Sequence, residues 1–393
     1  MRTSAVPLRI VAALGLLISP AALAQTTGVN VACRQAVLMD AESRSFIFER
    51  NADELASPAS TAKIMTAEIL FRALKEGKLT LDQTFEISEH AWREGGAPSR
   101  GSSMFAALKS QVRIEDLIRG LLVDSGNDAA IAIGEGLAGT EDAFGEMMTR
   151  RARELGLKRS SFTNPWGRSD PKQKTSVREM AQLSAHLIQT YPDYYKYFGE
   201  KTFTWNKITQ TNRNPLLLMN IGADGLKTGN IDESGFAIVG SAVDNDQRLI
   251  VALNGCKTAS ERAEDARKLL LWGFRSLEPR TLFDAGETIG TAPVYGGAPH
   301  EVPVAAAQKV KVFLPRGSGE RLQGKIVFDG PLVAPIKAGT PIARLKLTRG
   351  QALALDIPLE AKEDVAVGSL PRRALDAGVE FAGQMMRKYV LKK

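Results

Sequence analysis

Three short motifs stand in a fixed order along the chain: Ser60-Thr61-Ala62-Lys63, Ser125-Gly126-Asn127 and Lys227-Thr228-Gly229. They constrain the fold because the chemistry they can carry out together requires three distant segments to meet at one place. A single Ser-x-x-Lys says almost nothing, since about one match is expected by chance in a chain of this length at ordinary Ser and Lys usage. All three in this order, each in a suitable local context, describe a serine acyl-transfer site that uses no histidine. His90, His186 and His300 lie far apart, which argues against both a zinc site and a Ser-His-Asp triad. No metal and no organic cofactor is called for.

Ser60 needs a base, because an unactivated hydroxyl is a poor nucleophile. Lys63 follows three residues later, so on a helix the two side chains share a face with Cβ atoms about 5–6 Å apart. A lysine acts as base only when its pKa falls, which burial and a neighbouring cation such as Lys227 would bring about. The backbone N–H of Ser60, at the start of its helix, has no intrahelical partner and is free to face a developing oxyanion. Ser125-Gly126-Asn127 follows the apolar run Leu121-Leu122-Val123 and reads as a loop after a helix. There a hydroxyl can relay a proton to the leaving amine, while the amide binds a substrate carbonyl or holds Lys63. Standing alone, the triplet would read as an Asx or Ser turn. Lys227-Thr228-Gly229 reads as a segment ahead of a β-hairpin, where Gly229 admits a ligand to the backbone and Lys227 with Thr228 can bind a carboxylate. Alone it would be a plain β-edge.

The first residues differ from the rest. Arg2 and Arg9 precede the apolar run Ile10 to Ile18, then Pro20 and Ala22-Leu23-Ala24. That is the pattern of a secretory signal cut after Ala24, and the run is too short to span a bilayer. Loss of its two arginines takes the net charge from +7 to +5, a mild basicity that suits an anionic membrane or wall surface. Nucleic acid is not an expected partner, because Lys and Arg are dispersed and no reading motif occurs. Cys33 and Cys256 are the only cysteines, so this is no disulfide-stapled scaffold.

Residues 36–49 read as a hairpin around a polar turn, and Pro58 precedes a helix whose apolar residues Ile64, Met65, Ile69, Leu70, Phe71 and Leu74 cover most of its circumference. Helical patterns follow over 114–124, 141–155 and about 176–190. Two β-type runs, Phe236–Val243 and Leu249–Asn254, flank the turn residues Asp244 to Asp246, and 259–275 is one more amphipathic helix. Strands at both ends with helices between suggest an antiparallel sheet closed by the two ends of the domain, with a helical lobe inserted. Near residue 280 the pattern becomes period-2 alternation, as in Ala343, Leu345 and Leu347, and reads as a separate β-domain of roughly 90 residues. The expected division is therefore a signal at 1–24, a catalytic domain at 25–280, a β-rich domain at 281–369 and an amphipathic helix at 370–393. On that last helix Leu375, Val379, Ala382, Met386 and Tyr389 share a face opposite Arg372, Arg373, Arg387, Lys388, Lys392 and Lys393. It suits either attachment to an anionic membrane surface or docking on the protein itself.

The chain resembles a low-molecular-mass penicillin-binding protein, a D-alanyl-D-alanine carboxypeptidase of the type with a C-terminal β-domain and membrane-anchoring helix. Ala36 to Ser43, Pro58-Ala59-Ser60 with Lys63-Ile64-Met65-Thr66, Gly101 to Phe105, Val123 to Ala129, Asp224 to Gly229 and Leu270 to Phe274 carry the likeness. It covers the whole chain and is most specific between residues 36 and 275. It implies an α/β sandwich of the β-lactamase/transpeptidase-like type, an antiparallel sheet flanked by helices with a helical lobe. It also implies removal of the terminal D-Ala from peptidoglycan stem pentapeptides, covalent reaction with β-lactam antibiotics, and a periplasmic enzyme held peripherally on the outer face of the cytoplasmic membrane. Carried over, Ser60 is the acylated nucleophile, Lys63 the general base, and Ser125 with Asn127 the proton-relay and substrate-binding pair. Lys227, Thr228 and Arg262, ten residues before Trp272, engage the substrate carboxylate. Next to Gly229, the backbone N–H of Asn230 is the second oxyanion donor. Many relatives carry His where Asn230 stands, and since the role there is a backbone one, activity is expected to survive the change. In the implied fold the strands beside Cys33 and Cys256 are antiparallel neighbours, which suggests a disulfide between them, against two unrelated thiols.

The nearest rival is a β-lactamase. Class A enzymes deacylate with a dedicated Glu, and the corresponding region here, Phe162 to Gly167, shows no Glu-x-x-Leu-Asn pattern. D,D-endopeptidase activity and a catalytically dead pentapeptide binder are the other rivals, the last disfavoured by the intact Ser60 and Lys63.

Overall fold

The strand β1 (Gln35–Asp40) is buried at every position, as expected only where both faces of a sheet are covered. It pairs antiparallel with β2 (Phe46–Arg50) on one side and with the Gln247–Cys256 strand on the other. The order across this five-stranded sheet is β2, β1, then the strands Gln247–Cys256, Gly235–Asp244 and Ala223–Ile231. The computed structural model describes residues 29–317, 322–328, 330–349, 352–371 and 373–374. The export segment 1–24 lies outside the described residues, as does the C-terminal amphipathic segment from 375 onward.

Period-2 alternation divides the buried side chains between two cores. Val37, Met39, Val239, Ile250 and Ala252 point into the core shared with the helical lobe. Ala36, Leu38, Ile238, Leu249, Val251 and Leu253 point the other way, onto Ala266, Leu269, Leu270 and Phe274 of the Ala259–Ser276 helix. Each Val, Leu or Ile buried in this way stabilises the sandwich by about 1.5–3 kcal/mol. The hairpin between Gly235–Asp244 and Gln247–Cys256 turns on Asn245 and Asp246, both at positive φ, the combination a two-residue type I′ turn requires.

Residues Ala59–Ala62, which carry Ser60, form a single 3-10 turn rather than the first turn of an α-helix. It leads into α1 (Lys63–Lys75), buried on nearly all sides at the centre of the helical lobe. The other lobe helices are α2 (Ile114–Leu122), α3 (Asn127–Ala138), α4 (Glu141–Glu154) and α5 (Val177–Thr190). Thr140 caps α4 through the Ala143 N–H and Ser176 caps α5 through the Glu179 N–H, each satisfying one free donor of a helix start. One sequence expectation needs correction. The α3 helix was not anticipated: Asn127 opens a helix instead of continuing a loop. The Lys227-Thr228-Gly229 motif precedes the hairpin Gly235–Cys256 as expected, and it is itself part of a strand, the edge strand Ala223–Ile231.

From Leu277 onward the chain is β-rich. The strand Leu277–Phe283 pairs with Val310–Pro315, and a six-stranded sheet contains the antiparallel pair Pro341–Arg349 and Ala352–Ala361. Val294, Val302, Val304, Leu345, Leu347 and Leu359 fill its own core. Lys309 and Lys311 both reach Glu42 in the turn after β1, the former at 2.6 Å, and hold its carboxyl below the usual range. Among the described residues no helix is long and apolar enough to cross a membrane.

Register places Gln35 opposite Asn254, and two positions further out Cys33 and Cys256 are disulfide-bonded, with Cα atoms 4.1 Å apart and a sequence separation of 223. Closing so long a loop stabilises by about 5 kcal/mol at most in the chain-entropy account. The Cys33→Ala/Cys256→Ala variant should therefore fold with a lower Tm, and reductant should bring the wild type down to that same Tm. Equal melting of all three samples would show that the cross-link adds nothing.

Candidate active site

The edge strand Ala223–Ile231 lies against the 3-10 turn that carries Ser60. A Cβ added at Gly229 would stand 3.1 Å from Ala59 Cβ and 3.3 Å from Ser60 N, so glycine is what lets strand and turn approach. Ala59 itself has φ +47°, a left-handed conformation that costs a non-glycine residue free energy and is held by its surroundings. Those surroundings include Gly167, where any Cβ would collide with the Ala59 carbonyl.

Lys63 begins α1 with no exposed surface. Its Nζ lies 3.1 Å from Ser60 Oγ, 2.8 Å from Asn127 Oδ1 and 2.8 Å from the Trp166 carbonyl oxygen. Three hydrogen-bonding positions on a lysine nitrogen are thus met, one of them by the candidate nucleophile. Burial pushes the Lys63 pKa well below the ordinary lysine value. The positive charges of Lys227 and then Arg213 add to the shift, and Asp128 opposes it. Lys227 is also buried and is pushed down to about 7, chiefly by desolvation, then by Arg213 and Arg262. Arg213 acts on both lysines and Arg262 on Lys227, so the four cations lie in one basic cluster.

Arg262 sits in the first turn of the Ala259–Ser276 helix, half-buried, its guanidinium 5.7 Å from the Phe236 ring and its Nε without a hydrogen-bond partner. Thr228 is buried beside Lys227, and Asn230 is exposed at the outer end of the motif. Ser125 is buried with φ +60°, two residues before Asn127. The next carboxylate, Asp128, is fully buried. It accepts from Ser103 Oγ at 2.7 Å and from the backbone N–H groups of Met104, Ala106 and Ala129, which fastens the Gly101–Ala106 loop to the start of α3. Asp124 is desolvated and lies near Asp128, and its pKa rises to about 7 despite Arg213.

Two participants escaped the reading of the sequence. Arg213 donates through Nε to the Asp124 carbonyl at 3.1 Å and belongs to no motif. Its only sequence signal is a loop position between Asn212 and Asn214, both buried and hydrogen-bonded to neighbouring backbone. Trp166 acts through its backbone carbonyl, which any residue would possess.

Residues 21–258 match the family described as D-alanyl-D-alanine carboxypeptidase, and residues 277–367 match the C-terminal domain of penicillin-binding protein 5. The chain belongs to the D-alanyl-D-alanine carboxypeptidase family. Among relatives of this family, the D-alanyl-D-alanine carboxypeptidase DacC of Escherichia coli is 37% identical over 350 residues, covering 88% of each chain. Penicillin binding protein 5 from Haemophilus influenzae superposes with a TM-score of 0.73 at 35% identity, covering 87% of this chain and 99% of that one. Penicillin binding protein 6B from Escherichia coli does so with a TM-score of 0.67 at 30% identity, covering 85% and 96%. These likenesses extend through the helical lobe, the sheet and the C-terminal β-domain, so the carboxypeptidase fold expected from the sequence is the fold of this chain.

Buried cations carry a stability cost, and the sign of its pH dependence is fixed. Lys227 titrates near 7 in the fold and near 10.5 as an ordinary lysine. A lowered lysine pKa means that the unfolded chain binds more protons between those values, so stability rises with pH across that window. The penalty is complete below about pH 7 and fades toward 10.5. Lys227→Met should accordingly melt higher than wild type, with a larger difference at pH 6 than at pH 9. A Tm difference independent of pH would mean that Lys227 is not buried as a cation.

Proposed function

We propose that this protein is a serine-type D-alanyl-D-alanine carboxypeptidase that trims peptidoglycan pentapeptides through an acyl-enzyme on Ser60, with Lys63 as general base. The observation that carries this reading is the buried Lys63 amine 3.1 Å from Ser60 Oγ, its pKa held down by burial and two cations. Ser60 Oγ attacks the carbonyl carbon of the penultimate D-Ala and its proton passes to Lys63 Nζ. The oxyanion that forms is met by the backbone N–H groups of Ser60 and Asn230. The C–N bond then breaks, the proton returns to the leaving amine by way of Ser125, and D-Ala departs. Water, activated by the same lysine, hydrolyses the ester and restores Ser60. Lys227, Thr228 and Arg262 hold the terminal carboxylate, and Asn127 orients both the substrate amide and Lys63.

β-Lactams would acylate Ser60 along the same route. The Phe162-Thr163-Asn164-Pro165-Trp166-Gly167 stretch carries no carboxylate to activate a deacylating water, and Trp166 turns a carbonyl toward Lys63 instead. A penicillin adduct is therefore expected to persist, which favours the carboxypeptidase over a β-lactamase. The signal at 1–24 and the basic amphipathic pattern at 370–393 support export to the periplasm and attachment to the anionic outer face of the cytoplasmic membrane. The division at about residue 280 follows from the same reading.

Ser60→Ala should abolish both D-Ala release and the mass shift on incubation with penicillin while leaving the melting curve cooperative. Lys63→Ala should slow acylation by about 10²–10⁴-fold or more, the range typical of a general base. Labelling that persists in Ser60→Ala would place the nucleophile elsewhere.

Reading of the terminal carboxylate is tested with a substrate amidated at that position. Each charged hydrogen bond lost should cost about 1.5–3 kcal/mol in kcat/KM. An amidated peptide cleaved as fast as the acid would dissociate Lys227, Thr228 and Arg262 from that role and favour an endopeptidase.

A further inference from the structure

Two of the three groups around Lys63 Nζ, the Trp166 carbonyl and Asn127 Oδ1, belong to segments that meet at one buried carboxylate, Glu141. Its Oε1 accepts from the Trp166 indole N–H at 3.0 Å, and its Oε2 lies 2.8 Å from His90 Nε2. His90 immediately precedes the helical turn Ala91–Gly95, and Gly95 is packed so tightly on Asn127 and Asp128 that a Cβ there would collide with their backbone. Glu141 is only 7% exposed, with Arg168 3.6 Å from Oε1 and stacked 5.6 Å from the Trp166 ring.

We propose that Glu141 is a positioning residue for acylation: one oxygen holds Trp166 and the other holds His90, and together they set the two acceptors that aim the Lys63 amine at Ser60 Oγ. Glu141 is not needed there for the ordinary purposes of a helix start. Thr140 already caps α4, and the exposed Asp142 already supplies negative charge to its first turn. Nor is it needed to fold the loop. Asn164 Oδ1 accepts from the Gly167 and Arg168 N–H groups, and the Pro165 carbonyl accepts from Thr66 Oγ1 at 2.6 Å. What Glu141 adds is the anchoring of the one residue between them whose carbonyl faces Lys63.

This inference rests on Lys63 being the base, and the experiment separates the two ideas. Acylation by penicillin is timed per titrated active site, alongside kcat and KM for a D-Ala-D-Ala peptide. Displacing the Lys63 amine by a fraction of an ångström should slow Glu141→Ala and Trp166→Phe about tenfold each in acylation and kcat, with KM nearly unchanged. The double variant should be no slower than the slower single one, because both substitutions break the same bond. Glu141→Gln keeps an acceptor for the indole and should retain most of the wild-type rate. Wild-type acylation in Glu141→Ala, or a loss confined to KM or to the active fraction, would overturn the proposal if Lys63→Ala is slow in the same assay. Unimpaired acylation in Lys63→Ala would overturn both ideas. Should Glu141→Ala fail to fold, Trp166→Phe alone decides, since it removes only the indole donor.

Discussion

Burying a lysine amine is costly, and the architecture of the helical lobe follows from doing so next to a serine. Lys63 has no exposed surface, so the protein must supply the hydrogen-bond acceptors that water would have given. It does so from three directions: the turn before α1, the start of α3 and the loop at Trp166. Each direction imposes its own local condition. The turn holds Ala59 at positive φ, the loop must place Gly167 against it, and α3 must open at Asn127 itself. The desolvation that makes the site expensive is also what lowers the lysine pKa, so stability and reactivity oppose one another at this point.

The same opposition explains why cations gather where cations repel. Arg213 and Arg262 depress Lys227, and Lys227 and Arg213 depress Lys63; under the proposed function a substrate carboxylate would relieve that repulsion. On that proposal, binding energy is concentrated on the one charge that distinguishes a C-terminal D-Ala from a residue inside a peptide. The neighbouring Asp128 opposes the depression of Lys63, but its oxygens are engaged elsewhere. Asp128 spends its lone pairs on the Gly101–Ala106 loop.

Much of the frame was legible in the sequence because it obeys periodicity. β1, the hairpin Gly235–Cys256, α1 and the Ala259–Ser276 helix all show their faces as apolar patterns. What was missed lacks such a pattern for identifiable reasons. In α3, Ala129, Ala130, Ala132 and Gly134 are small and buried on every side, leaving no polar face to reveal a helix. In the Ala223–Ile231 strand, two glycines and the polar residues of the motif mask its β character, although Gly229 is there to permit close approach to Ser60. Arg213 acts through space from an irregular loop, and the contribution of Trp166 to Lys63 is a main-chain carbonyl. Charge coupling and backbone geometry leave no letter in the sequence.

The central sheet joins β1 to a strand more than 200 residues later, since Gln35 pairs with Asn254. A chain emerging from its N-terminus therefore presents β1 and β2 long before their neighbour exists, and the two strands alone cannot form a stable sheet in water. The helical lobe, rich in local contacts, is free to gather first, whereas the turn that carries Ser60 acquires its facing edge strand only once Ala223–Ile231 has arrived. An arrested or truncated chain would thus be rich in helix and catalytically silent, with apolar strand faces uncovered and open to aggregation. Reactivity toward the wall is delayed by topology until nearly the whole catalytic unit has been delivered.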